Sequence, residues 1–242
     1  MKTLSLLPLP LGERARVRGK RGGYGVKIFI DTANLNEIRK AKALGLVDGV
    51  TTNPTLLAKE GKQTEALIRK ISEEVRGPVN VEVTGTTSEE MVSEAKVMAT
   101  WGDEIVIKIP ITTEGLKTVK ILSEEKIQTN VTLLFSPSQA ILAAKAGATY
   151  VCPFLGRLDD ISFNGLELIR QIRAIYASYP EIRTQIIVAS VRNPIHVVEA
   201  GMLGAEIVTI PPAIIEQMVK HPLTDKGIAQ FLEDAKKIKG KK

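Results

Sequence analysis

The fold of this chain is constrained most by a regular alternation of short apolar segments with segments of helical spacing, which begins at Lys27 and continues almost to the C-terminus. Eight apolar segments of four to six residues are typical of strands buried on both faces. Eight strands alternating with eight helices over about 217 residues predict an α/β fold, a (β/α)8 barrel. The alternative is a doubly wound open sheet, but no GxGxxG fingerprint follows any of these strands.

The predicted strands cover residues 27–31, 49–52, 79–83, 104–109, 129–133, 149–152, 185–189 and 206–210. The predicted helices cover residues 35–44, 63–75, 89–99, 115–124, 138–146, 165–177, 194–203 and 213–221. An extra C-terminal helix over residues 224–238 has one apolar stripe formed by Ile228, Phe231, Leu232, Ala235 and Ile238. That stripe would pack either on its own barrel or on a neighbouring subunit.

The composition excludes several classes of protein. With 44% hydrophobic residues the chain can form a full core, and with 4% aromatic residues it has few side chains for stacking on nucleic acid bases. Cys152 is the single cysteine, so no disulfide framework is possible and we expect a reducing, cytoplasmic location. No apolar run approaches the roughly 18 residues of a membrane span.

Residues 1–25 differ from the rest and contain most of the net charge of +6. They include six basic residues and one acidic residue, which leaves 27 basic and 26 acidic residues for a nearly neutral body. We expect this segment to be a disordered extension or the result of a start codon assigned too far upstream, with a single barrel domain over residues 26–242. A rival hypothesis is a nucleic-acid-binding protein that uses this basic tail.

Lys108 lies within the apolar run 105–110, where an amine is costly to bury unless it has a use. A desolvated amine is available to attack a carbonyl carbon and form a Schiff base. The alternative is a structural lysine that extends to the rim of the sheet.

Polar residues lie within or just after the C-terminal part of nearly every predicted strand, and that end of a (β/α)8 barrel holds its active site. They are Asp31, Asn53, Glu82, Lys108, Asn130, Thr132, Arg157, Ser190 and Arg192, and Phe154 lies among them. Taken singly, each has a structural reading as a cap, a turn residue, an ion pair or a solvated charge. Together, two carboxylates beside an amine suit acid and base chemistry, and two arginines with a serine suit a phosphate group.

Other catalytic motifs are absent from the sequence. The two histidines, His196 and His221, form no recognisable Ser-His-Asp arrangement, and neither GxSxG, CxxC nor HExxH occurs.

Six ordered motifs resemble those of the transaldolase family, specifically its short, single-domain members related to fructose-6-phosphate aldolase. The motifs are FIDTA (29–33), GVTTNPT (49–55), VIKIP (106–110), NVTLLFS (130–136), PFLGR (153–157) and ASVRNP (189–194). The resemblance implies a class I aldolase barrel that needs no cofactor or metal. It also implies transfer of a dihydroxyacetone unit from sedoheptulose 7-phosphate to glyceraldehyde 3-phosphate, forming erythrose 4-phosphate and fructose 6-phosphate.

By motif position, Lys108 resembles the Schiff-base lysine, Asp31 the acid/base for carbon–carbon cleavage, and Glu82 the acid/base that acts through a water. Asn53, Asn130 and Thr132 resemble residues that hold substrate hydroxyls or that water, and Arg157, Ser190 and Arg192 resemble the phosphate site. The resemblance also implies a homo-oligomer, a pentamer or decamer, whose C-terminal helix contacts a neighbouring subunit.

Two positions separate the branches of the family. The aldolase branch has Gln at the position of Glu82 and Tyr at the position of Phe154, so both residues favour a transaldolase over fructose-6-phosphate aldolase, the alternative on the same scaffold. One departure is Cys152, where larger transaldolases have Ser.

Overall fold

The computed structural model describes residues 25–61 and 64–239, and these form a closed barrel of eight parallel strands in chain order surrounded by helices. The strands are β1 Lys27–Asp31, β2 Gly49–Thr51, β3 Val79–Glu82, β4 Ile105–Pro110, β5 Thr129–Leu134, β6 Tyr150–Pro153, β7 Gln185–Val188 and β8 Ile207–Ile210. The predicted fold class is confirmed, and β8 pairs with β1 to close the sheet. The predictions for residues 1–24 lie outside the described residues.

The helices are α1 Leu35–Ala43, α2 Pro54–Glu60, α3 Thr64–Glu74, α4 Ser88–Met98, α5 Thr113–Glu124, α6 Pro137–Ala146, α7 Leu155–Asp159, α8 Gly165–Ser178, α9 Pro194–Met202, α10 Pro212–Val219 and α11 Pro222–Lys239, with a 3-10 turn at Ala99–Trp101. Helices α2 and α7 and the 3-10 turn were not predicted. With seven and five residues, α2 and α7 are too short for an apolar periodicity to appear in the sequence.

Inward-facing side chains fill the barrel as layers. Phe29, Val106, Tyr150, Ile187 and Ile207 belong to an apolar cluster that is separate from the larger core between the sheet and the helices. Gly49 makes room for this cluster, because a Cβ atom on it would lie 2.6 Å from the Phe29 ring.

A polar layer lies above this apolar one because side chains alternate along each strand. Two residues beyond Phe29 and Val106, β1 and β4 carry Asp31 and Lys108. The register pairs Glu82 with Lys108 and Lys108 with Asn130 across adjacent strands. The chain therefore brings residues that are far apart in sequence to one end of the barrel.

Strand β5 contains an irregularity beside this polar layer. Its register against β6 shifts between Val131 and Leu134, and Leu133 has a φ of 55°. A non-glycine residue in the left-handed region is uncommon and often accompanies a functional site. The shift follows Thr132 directly.

Helix α11 presents its apolar stripe to solvent in the single chain. Phe231 and Ile238 are 75% and 74% exposed. Within residues 25–61 and 64–239, no helix has the length and apolar character needed to cross a bilayer.

Candidate active site

A cavity of about 510 Å³ opens at the C-terminal ends of the strands. Its wall includes eight of the ten predicted site residues, namely Asp31, Asn53, Glu82, Lys108, Phe154, Arg157, Ser190 and Arg192. Asn130 and Thr132 do not line it and are completely buried. A larger cavity of about 660 Å³ between α6 and the segment before β7 contains none of the ten.

Lys108 is held at the floor of the cavity by two neighbours. Its side chain is buried, its Nζ donates to the carbonyl oxygen of Thr52 at 2.9 Å, and it lies 3.0 Å from Glu82 Oε2. The sequence expectation of a lysine in an apolar strand is met, but its Nζ lies beside a carboxylate and not in an apolar pocket. Glu82 is therefore placed to exchange a proton with the Lys108 amine.

Asp31 forms the second carboxylate of the cavity. Burial raises its pKa, and repulsion from Glu82 acts in the same direction, while a hydrogen bond from Thr51 and the charge of Lys108 oppose this rise without reversing it. Thr51 Oγ1 donates to Asp31 Oδ1 at 2.7 Å and lies 2.6 Å from Thr209 Oγ1. Since the Thr51 hydrogen goes to Asp31, Thr209 donates to Thr51, and this chain fixes the orientation of the carboxylate.

The amide of Asn53 has a structural use as well as a place in the cavity. Its Oδ1 accepts from the Leu56 N–H at 2.9 Å and caps α2, which begins with Pro54. Among the described residues the Asn53 NH₂ group takes no part in this cap, and the residue lines the cavity. Asn53 is therefore both the N-cap of α2 and a residue of the cavity wall.

Asn130 and Thr132 carry polar atoms that have no hydrogen-bond partner among the described residues. These atoms are Asn130 Oδ1 and Thr132 Oγ1. Asn130 Nδ2 donates to Asn80 Oδ1 at 2.8 Å, and Asn80 in turn donates to the carbonyl oxygen of Val50. Buried polar atoms without partners are rare, so a bound hydroxyl or water is their natural complement.

The two arginines of the cavity wall follow β6 and β7. Arg157 in α7 lies over the Phe154 ring at 5.2 Å, and Arg192 Nη2 is 2.8 Å from Asp160 Oδ2. Ser190 has a φ of 60°, and its carbonyl oxygen contacts α7 so closely that a Cβ on Gly156 would lie 1.9 Å away. Two guanidinium groups and a hydroxyl around one space suit a phosphate.

Cys152 lies in the same interior layer but is not arranged as a nucleophile. It is buried, and burial raises the pKa of its thiol to about 12. The thiol is therefore protonated at neutral pH, and protonated thiols are poor nucleophiles.

Several site neighbours were missed in the sequence. Thr51, Thr209 and Asn80 are inward-facing residues within strands, and a strict alternation count along β2, β3 and β8 would have placed them inside the barrel. No catalytic arrangement was predicted for His196, and its Nε2 lies 3.2 Å from Asp159 Oδ2. No sequence signal pairs those two residues, because they come from different helices.

No cluster of three or more His, Cys, Asp and Glu side chains is placed to bind a metal ion within the part of the chain that the structure describes.

The closed barrel, with a lysine and two carboxylates in one cavity at its C-terminal end, defines a (β/α)8 protein with a site suited to carbonyl chemistry. A family profile described as Transaldolase/Fructose-6-phosphate aldolase matches residues 28–242, and the chain belongs to this family.

Relatives from three organisms agree with this membership. A protein named "Probable transaldolase" from Caldicellulosiruptor saccharolyticus is 55% identical over 213 residues, covering 88% of this chain and 98% of the relative. One of the same name from Thermodesulfovibrio yellowstonii is 56% identical over 214 residues, covering 88% and 100%. A third from Thermoplasma volcanium is 55% identical over 216 residues, covering 88% and 96%. These relatives support a transaldolase-type enzyme.

Proposed function

We propose that the protein is a transaldolase that moves a dihydroxyacetone unit from sedoheptulose 7-phosphate to glyceraldehyde 3-phosphate through a Schiff base on Lys108. The observation that carries this proposal is the position of Lys108 Nζ, 3.0 Å from Glu82 in a cavity whose wall also includes Asp31 and two arginines. Family membership and the relatives' names support the same reading.

In the first half of the reaction the Lys108 amine attacks the ketone carbon of the donor and gives a carbinolamine. Glu82, acting through a water near Thr132, protonates the departing hydroxyl, which leaves as water and gives the iminium ion. The Asp31 carboxylate then takes the proton of the C4 hydroxyl, the C3–C4 bond breaks, and erythrose 4-phosphate leaves. The electron pair of that bond remains on the lysine-bound fragment as an enamine.

In the second half the enamine carbon attacks the aldehyde carbon of glyceraldehyde 3-phosphate, and Asp31 returns its proton to the new hydroxyl. Hydrolysis of the iminium ion releases fructose 6-phosphate and restores the amine. Asn53 and Asn130 hold the hydroxyls of the dihydroxyacetone unit, and Arg157, Ser190 and Arg192 bind the phosphate.

Transfer is favoured over free cleavage by the residue at position 154. Phe154 lies within the cavity wall and has no hydroxyl to protonate the enamine carbon. The enamine therefore persists until an acceptor aldehyde arrives. Fructose-6-phosphate aldolase activity, the second candidate, requires efficient protonation of that carbon and release of free dihydroxyacetone.

The proposal is tested by borohydride trapping. The protein is incubated with fructose 6-phosphate and sodium borohydride, and peptide mapping locates the reduced adduct, which we expect on Lys108 and not in Lys108→Met. Lys120→Met is the matched control and should retain the adduct, because Lys120 also pairs with a glutamate, at 2.8 Å, but is exposed on α5. An adduct that persists in Lys108→Met, or no adduct at all, contradicts the proposal. Release of dihydroxyacetone at the same rate with and without an acceptor identifies an aldolase instead.

We also propose that the enzyme acts in the cytoplasm on phosphorylated sugars. A separate proposal is that the chain forms a homo-oligomer through α11. The support is the exposed apolar stripe of α11, in which Phe231 and Ile238 are largely uncovered. Light scattering after size exclusion gives the mass directly. Phe231→Glu should lower this mass, and Gln230→Glu, a change in α11 outside the apolar stripe, should not; an unchanged mass in Phe231→Glu contradicts a role for the stripe.

A further inference from the structure

The loop that follows β7 contains a non-glycine residue in the left-handed backbone region. Ser190 adopts a φ of 60°, a conformation that non-glycine residues hold only when their surroundings support it. Arg192 lies two residues further on and lines the cavity. The question is what fixes this loop in place.

His196 supplies one support from the first turn of α9. Its side chain is buried, and its Nδ1 accepts a hydrogen bond from the backbone N–H of Arg192 at 3.2 Å. A ring nitrogen that accepts must carry no proton, so the neutral imidazole holds its proton on Nε2. The imidazole thereby takes the place of a backbone partner for the Arg192 N–H.

Asp159 at the end of α7 fixes this tautomer. Its Oδ2 lies 3.2 Å from His196 Nε2, and its Oδ1 accepts from the Gly165 N–H at the start of α8 at 2.9 Å. A carboxylate facing Nε2 requires a proton there and so keeps Nδ1 free to accept. The carboxylate is itself anchored by the N-terminus of α8.

The C-terminal end of α7 also contacts Arg192 through a second interaction. Asp160, the next residue, pairs with the Arg192 guanidinium at 2.8 Å, and Arg157 precedes Asp159 by two residues on α7. Helix α7 therefore contacts the Arg192 backbone through His196, and its C-cap residue Asp160 contacts the Arg192 side chain. Both arginines of the predicted phosphate site are tied to one short helix.

We propose that His196 and Asp159 form a positioning pair that sets the Arg192 backbone and couples the two arginines, so that they converge on the phosphate group of the substrate. This inference rests on the proposed function, since it assigns the pair to the phosphate end of the same site. Neither residue lines the cavity, so both act through Arg192 and Arg157.

The test separates phosphate binding from Schiff-base chemistry. His196→Leu removes both ring nitrogens, His196→Asn retains an acceptor near the position of Nδ1, and Asp159→Asn places an amide where the carboxylate fixed the tautomer. His221→Leu is the matched control, because His221 Nδ1 also accepts a backbone N–H at 3.2 Å, from Leu223, away from the cavity. Each variant is assayed for the KM of fructose 6-phosphate, for inhibition by inorganic phosphate, and for borohydride trapping of dihydroxyacetone, which has no phosphate.

We expect His196→Leu and Asp159→Asn to raise the KM and the phosphate inhibition constant about tenfold, because an unsatisfied buried N–H displaces the loop. Trapping of dihydroxyacetone and kcat should stay within about threefold of the wild type. His196→Asn should recover most of the loss, and His221→Leu should behave as the wild type. Recovery by Asn distinguishes hydrogen-bond positioning from simple packing.

Three results overturn the proposal. If Arg192→Ala raises the KM but His196→Leu and Asp159→Asn do not, the positioning pair alone is wrong. If the His196 variants only lower thermal stability, or reduce dihydroxyacetone trapping as much as phosphate binding, His196 is a packing residue. If Arg192→Ala itself leaves the KM and phosphate inhibition unchanged, the phosphate site of the proposed function is wrong, and the pair falls with it.

Discussion

Glu82 and Lys108 face each other across β3 and β4, and the strand register alone places the Glu82 carboxylate 3.0 Å from the lysine amine. Asp31 contributes a second carboxylate to the same cavity. Among the described residues Lys108 is the ion-pair partner of Glu82, so removal of the lysine leaves this carboxylate without it. The stability of the site and its chemistry therefore depend on the same residues.

Lys108→Met should abolish transfer, with a loss of at least about four orders of magnitude in kcat, because no other amine replaces the nucleophile. It should also destabilise the fold by about 2 kcal/mol at pH 7.5, since Glu82 loses its buried partner. Urea denaturation measures the second effect. The double variant Lys108→Met with Glu82→Gln should recover at least half of that stability; purely additive losses would show that the pair contributes nothing to folding.

Asp31→Asn should make the protein more stable at neutral pH while it stops cleavage of the C3–C4 bond. Burial raises the pKa of Asp31 in the folded state, so folding favours its protonated form. The cost of ionising this group is absent below its unfolded pKa and fully present above its folded pKa. Replacement by Asn should therefore stabilise the protein by about 1 kcal/mol at pH 7, with a gain that fades as the pH falls toward 3.

The same shift has a kinetic consequence. Asp31 must be ionised to accept the C4 hydroxyl proton, so the acidic limb of kcat/KM should lie above the ordinary range for an aspartate. Urea denaturation and rate measurements between pH 3 and 8 check both effects. Equal stability of Asp31→Asn and the wild type at pH 7 would contradict the assigned cost of the carboxylate.

The fold could be predicted from the sequence because each strand is a short apolar run and each long helix carries an apolar stripe. Helices α2 and α7 were not predicted because they depend on local contacts and not on an apolar stripe. Asn53 caps α2, and α7 packs closely through Gly156 against the β7–α9 loop. A turn of helix determined by tertiary contacts leaves no periodic signal.

The eight cavity residues were predictable because polar residues at the C-terminal ends of parallel strands meet at one end of a barrel. The residues that hold these side chains in place were not predictable in this way. Asp159 and His196 lie 37 positions apart on different helices, and Thr209 reaches Asp31 only through Thr51. Such contacts depend on how helices and loops pack over the barrel, which single-residue patterns do not record.

Phe154→Tyr should convert part of the transfer activity into free cleavage. Phe154 lines the cavity and packs edge-on against Phe135 at 5.8 Å, and a hydroxyl added to its ring would supply a proton donor for the enamine. We expect release of dihydroxyacetone from fructose 6-phosphate without acceptor to rise about tenfold, and further in combination with Glu82→Gln. A coupled assay for dihydroxyacetone measures this. Phe135→Tyr is the control for adding a hydroxyl to the neighbouring ring; an equal rise in that variant would show that position 154 has no special role.

Gly156→Ala should disturb the phosphate end of the site by steric contact alone. A Cβ at this position would lie 1.9 Å from the Ser190 carbonyl oxygen, so α7 and the loop after β7 must separate. We expect a loss of about 1–3 kcal/mol in unfolding free energy and a higher KM for fructose 6-phosphate, with trapping of dihydroxyacetone retained. Gly201→Ala is the matched control, because Gly201 lies in α9 with open space around its Cβ position, and it should gain roughly 0.5–1 kcal/mol from helix propensity. Wild-type stability and KM in Gly156→Ala would mean that the close contact between α7 and Ser190 does not position the arginines.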